Sequence, residues 1–115
     1  MSKKEPRSMS MREHAQSKRR KVKITVVRRS NADSSPLTLV VPIGACDILT
    51  DGQEFVVHEN GSMPEGFCLS AWITLVHDVE TLAWGGEFPW YNEKGTALRC
   101  CRDGVRPVIF KLERV

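Results

Sequence analysis

No apolar run in the sequence approaches the ~20 residues that a membrane-spanning helix needs, so a helical membrane protein is not expected. The opening residues lack the apolar stretch of a secretory signal, which makes the cytoplasm the expected compartment. Enzyme signatures are also missing. There is no G-x-S-x-G, no H-E-x-x-H and no glycine loop suited to cradling phosphate. Asp51 and Glu54 flank a turn, where solvated carboxylates are ordinary, so no paired acid–base site is indicated. These absences lean against an enzyme and leave the question open. Residues 1–21 contain no Leu, Ile, Val or Phe. Such a segment cannot bury enough apolar area to offset its ordering entropy, and it reads as a disordered basic arm.

What is present belongs to a single domain. The chain has 115 residues, 41% of them hydrophobic and 27% charged, an ordinary composition for a globular fold. The net charge of +3 is unevenly spread. Residues 1–23 carry nine basic and two acidic side chains, whereas residues 24–115 carry eight basic and twelve acidic ones. The body is therefore mildly acidic and offers no basic face to nucleic acid. The run Ser17-Lys18-Arg19-Arg20-Lys21 could touch phosphate or an acidic protein surface, each contact being salt-sensitive. The arm's Arg-rich composition also fits a weak targeting peptide, although the apolar half of such a helix is lacking.

The body, residues 22–115, reads as α+β. Val22 to Val27 is β-branched and alternating, a strand. A loop follows through Pro36, then a short strand is expected over residues 37–41. Asp51-Gly52 is a turn pair from which residues 54–58 leave as a strand. Residues 67–84 change period: Phe67, Ala71, Leu75, Val79 and Leu82 form one apolar stripe of a helix. Gly85-Gly86 ends it. At the C-terminus, residues 96–102 and 105–114 flank Asp103-Gly104, a strong hairpin signal. The expected architecture is an antiparallel sheet of roughly four or five strands, one long helix packed on it, and a C-terminal β-hairpin.

Four segments carry a resemblance: Asp51-Gly52-Gln53-Glu54-Phe55, Met63-Pro64-Glu65-Gly66-Phe67-Cys68, Gly85-Gly86-Glu87-Phe88-Pro89-Trp90, and Cys100-Cys101-Arg102-Asp103-Gly104-Val105-Arg106-Pro107-Val108-Ile109-Phe110-Lys111. In order and spacing they resemble a small family of uncharacterised microbial proteins marked by C-x5-GQEF, PEGFC, GG-x-FPW and CC-x-DG-x-RPVIFK-x-ER. The resemblance runs from Lys23 to Val115 and implies that Cys46, Cys68, Cys100 and Cys101 occupy family cysteine positions. It implies no activity. The chain departs from the pattern at Asp47 and Leu69, where the family has proline, and over residues 37–41.

The cysteines hold the most chemistry. Four in a reducing compartment are not a disulfide frame. Their spacing is not the paired C-x2-C pattern of a zinc ribbon, so the fold would have to assemble any site from separate elements. Neighbouring strand residues face opposite ways, so one of Cys100 and Cys101 should share the site. A two-residue turn would set Cys101 opposite Arg106 and Cys100 opposite Pro107. Cys68 lies at the helix start, where the macrodipole favours a thiolate, and Cys101 lies among Arg99, Arg102 and Arg106.

Three functional readings follow. A metal-binding accessory domain would hold zinc or an iron–sulfur cluster through Cys46, Cys68, Cys100 and Cys101, with His58 or His77 as a further ligand. An interaction module would meet a protein or nucleic acid through the basic arm, the aromatic loop of Phe88, Trp90 and Tyr91, and the cations Arg99, Arg102 and Arg106. A thiol protein would act through Cys68 as nucleophile or redox group. Against all three stands ordinary packing, since free cysteine is among the most buried residue types.

Overall fold

A computed structural model describes residues 10–11, 18–31 and 44–115. The strand expected over residues 37–41 and most of the proposed arm lie outside the described residues. The described chain folds as β1 (Val22–Arg29), β2 (Glu54–Val57), α1 (Leu69–Ala83), β3 (Thr96–Cys100) and β4 (Val108–Arg114). The strands form one antiparallel sheet in the order β2-β1-β4-β3, with β3 and β4 as the C-terminal hairpin. The α+β architecture is therefore present, with four strands among the described residues.

Alternation builds the sheet's inner face. Val22, Ile24 and Val26 of β1 are fully buried, as are Phe110 and Leu112 of β4. Helix α1 lays Ala71, Leu75, Val79 and Leu82 against them. Phe67 leads into α1 and joins its N-terminal end to the sheet, its ring 4.9 Å from Phe55 and 5.6 Å from Phe110. Full burial of each such side chain contributes about 1.5–3 kcal/mol.

Beyond Val26 the alternation breaks. Val26 pairs with Phe110 but Arg28 pairs with Ile109, so β1 carries one extra residue, a bulge at Val27. A bulge switches the faces of everything after it. Arg29, opposite the buried Val108, is thereby turned toward the helix side of the sheet.

Both helix ends are tied to their surroundings. Cys68 is the N-cap residue in extended geometry, but its side chain makes no capping hydrogen bond. At the other end Gly85, at φ +88°, lets its N–H reach the Leu82 carbonyl and the Gly86 N–H reach that of Thr81. Arg114 also donates to the carbonyls of Leu82 and Gly86. The described end of the basic segment docks here. Arg19 pairs with Glu80 at 2.8 Å and covers the Trp84 ring, and the Arg20 N–H donates to the Ala83 carbonyl.

The hairpin differs from the tight turn that Asp-Gly suggests. Cys100 pairs with Ile109, not Pro107, and residues 101–107 form a loop. Asp103 is the cause. Its side chain accepts the N–H groups of Val105 and Arg106 at 2.9 and 3.0 Å, which folds the tip around a carboxylate. The register moves by two residues, so the face each residue takes is unchanged. No described helix is long and apolar enough to cross a membrane.

Candidate functional site

Where the loop before β2, the helix start and the hairpin tip meet, the surface opens into a cavity of about 470 Å3. Cys46, Cys68 and Cys101 all line it, with Ser70 and Ala71 from the first turn of α1 and Arg102, Asp103 and Arg106 from the hairpin loop. Ile48, Leu49 and Val108 supply apolar wall.

Each cysteine is set by a different device. Cys46 lies in the loop that leads toward β2, and Arg29 holds that loop. One guanidinium nitrogen, Nη1, donates to the carbonyls of Cys46 at 2.8 Å and Leu49 at 3.1 Å, while Nε pairs with Asp51 at 2.9 Å. Leu49, fully buried, anchors the same loop from below. Cys68 occupies a position where Ser, Thr, Asp or Asn would normally cap the helix. Its side chain makes no capping hydrogen bond, the residue lines the cavity, and the first turn has no acidic side chain. Cys101 follows β3 directly. Its N–H donates to the Val108 carbonyl, and its Sγ accepts the Val108 N–H at 3.3 Å. That fixes the sulfur as an acceptor beside the cavity-lining Val108.

The charged wall divides into used and unused groups. Asp103 accepts both loop amides and also the Arg106 Nε at 3.2 Å. The Arg106 and Val105 amides, with the Arg106 guanidinium, hold its carboxyl below the usual carboxylate range. Arg106 is likewise spent on Asp103. Arg102 is exposed and has no hydrogen-bond or ion-pair partner among the described residues.

The other residues singled out from the sequence lie apart. Cys100 is exposed on the opposite face, beside Ile109 and away from the cavity. His58 and His77 are exposed and do not line it. Among the described residues, no three His, Cys, Asp or Glu side chains form a ready-made group for one metal ion.

The aromatic loop is a second cluster, largely turned inward. Arg99 donates to Asp78 at 2.6 Å and to the Tyr91 hydroxyl at 3.0 Å, and it stacks 4.8 Å from the Phe88 ring. The Tyr91 hydroxyl accepts the Leu98 N–H and donates to the Leu98 carbonyl, closing the outer edge of β3. Trp90 packs on Phe88 and Tyr91 and stays 67% exposed.

Comparison of the chain with protein-family models, curated proteins and solved structures gives no match.

The sequence had not singled out Arg29 or Asp103. Two signals were available for Arg29: a charged residue ending a buried strand, and Asp51 in the following turn. The bulge that turns it inward leaves no trace in composition.

Proposed function

We propose that the protein is a small accessory domain that binds a soft metal centre through the thiolates of Cys46, Cys68 and Cys101. One observation carries this reading: three cysteines from three separated segments line one cavity, whereas the fourth, Cys100, lies on the other face of the sheet. The same three cysteines are partly buried against the edge of the core, where the surface opens into the cavity. Thiolate sulfur suits zinc and iron–sulfur clusters. Among the described residues the three thiols do not form a ready-made group for one ion, so zinc and an iron–sulfur cluster are distinguished by the metal analysis below. All four cysteines are free, as a reducing, cytoplasmic setting would keep them.

The test is metal content after anaerobic purification without chelator. Cys46→Ser, Cys68→Ser and Cys101→Ser should each lose most of the bound metal, and Cys100→Ser should keep it. Equal metal in all four variants would contradict the assignment. A second reading rests on Trp90, an exposed indole flanked by two aromatic rings. It would make residues 88–91 and the basic arm a docking surface for a protein or nucleic-acid partner. A chain that binds no metal yet loses Cys68 alone to a thiol-alkylating reagent would favour the reactive-thiol reading.

A further inference from the structure

The cavity's volume of about 470 Å3 lies in the range of small-molecule sites. Its floor is firm, because the lining residues Leu49, Ala71 and Val108 are themselves buried core. Exposed Ile48 and the partly exposed cysteines extend this apolar wall. The segments that form it are tied down on their own account. Arg29 holds the carbonyls of Cys46 and Leu49, and the Asp103 carboxylate folds the hairpin tip. A ligand entering the cavity therefore has little of the wall to order. Outside the thiols, three lining side chains carry charge. Asp103 and Arg106 pair at 3.2 Å and cancel. Arg102 is left over, exposed and without a partner among the described residues. One unspent positive charge thus stands beside an apolar, preformed concavity.

We infer that the cavity binds a small organic monoanion with an apolar body, its acidic group on the Arg102 guanidinium and its body over Ile48, Leu49 and Val108. This goes beyond the metal-binding reading and does not rest on it, since neither Arg102 nor the apolar wall requires a metal. The charge preference follows from the guanidinium fork, which matches the paired oxygens of a carboxylate or sulfonate. Arg102 is in no ion pair of the fold, so the contact displaces only water. The preference for an apolar body follows from the wall, which a small hydrophilic anion would leave in water. A neutral apolar molecule would cover the wall and leave the charge unmatched. Both ends of the ligand are therefore needed for its full affinity.

The experiment titrates the full, isotope-labelled chain with three probes and follows backbone amide NMR signals. The probes are 2-naphthoate, the neutral 2-naphthalenemethanol with the same ring, and acetate with the same charge and no ring. With 2-naphthoate, saturable shifts should concentrate at Ser70, Ala71, Arg102 and Val108, all of which line the cavity. The neutral alcohol should move the same signals with about tenfold weaker affinity, the scale of one charge-assisted hydrogen bond. Acetate should bind more weakly than either. Arg102→Gln, an exposed loop change that spares the core, should bring 2-naphthoate down to the affinity of the alcohol, with signals elsewhere unmoved. Shifts that do not saturate at these residues would overturn the inference. Equal affinities for acid and alcohol, or full affinity in Arg102→Gln, would do the same. Metal per chain, measured on the same preparation, decides the metal-binding reading separately, so either can fail while the other stands.

Discussion

Single side chains decide how the loops around the cavity are held. Arg29 is the clearest case, because its guanidinium satisfies two loop carbonyls and one carboxylate at once. Arg29→Ala leaves those carbonyls without their donor, and the expected loss is about 1–3 kcal/mol, read from urea denaturation. Metal content should fall with it, because Cys46 is then no longer held over the cavity. Arg29→Lys, with one compact charge, cannot bridge all three acceptors and should recover only part of either quantity. Tyr91→Phe is the control at the remote cluster. It removes the hydroxyl from Leu98 and Arg99, at an expected cost of about 1 kcal/mol in the same assay, with metal content unchanged. The cysteine positions were legible in the sequence as chemistry but not as geometry. That Cys100 and Cys101 part company follows from strand alternation. That Cys46 joins Cys68 and Cys101 depends on Arg29, whose inward turn comes from a bulge of one residue.

At the scale of elements, the helix and hairpin show what local pattern can and cannot fix. The apolar stripe on α1 was legible because Ala71, Leu75, Val79 and Leu82 recur at helical spacing. Its start was legible too, since Cys68 was expected there and is the N-cap residue, although it makes no side-chain capping hydrogen bond. Leu75 is fully buried between helix and sheet, so Leu75→Ala should cost about 2–5 kcal/mol in the denaturation midpoint. Asp103-Gly104 signalled a hairpin correctly and its turn incorrectly, since propensity does not record that the Asp103 carboxylate binds two amides. This binding has a pH signature. Asp103 is held below the usual carboxylate range by the Arg106 and Val105 amides, and Glu87 by Arg114 and the Gly95 amide. A carboxyl whose value is depressed on folding stabilises the native state above its unfolded value, and that contribution is lost as pH falls through the folded one. Stability should therefore decline below about pH 4, near and then under the ordinary Asp and Glu values. Asp103→Asn should flatten the part of the acid dependence that belongs to the hairpin tip, as followed by circular dichroism against pH.

In the whole molecule, β1 lies between β2 and β4, so the first described strand pairs with the last. Strand existence was legible from alternation, but this order was not, because it depends on pairings across most of the chain. The consequence is functional: closing the sheet this way brings the loop after β1, the helix start and the hairpin tip to one end, where the cavity forms. The basic segment meets the opposite end of the helix at Glu80, Ala83 and Trp84. The central claim is that the three cysteines at the cavity hold one metal centre. The direct measurement is iron and zinc per chain in untagged protein prepared without oxygen or chelator, with its absorption spectrum. The account predicts stoichiometric metal, zinc or iron, with a sulfur-to-iron charge-transfer band if the metal is iron. Metal far below one centre per chain in repeated preparations would contradict it, and the cavity would then be a thiol pocket without a metal.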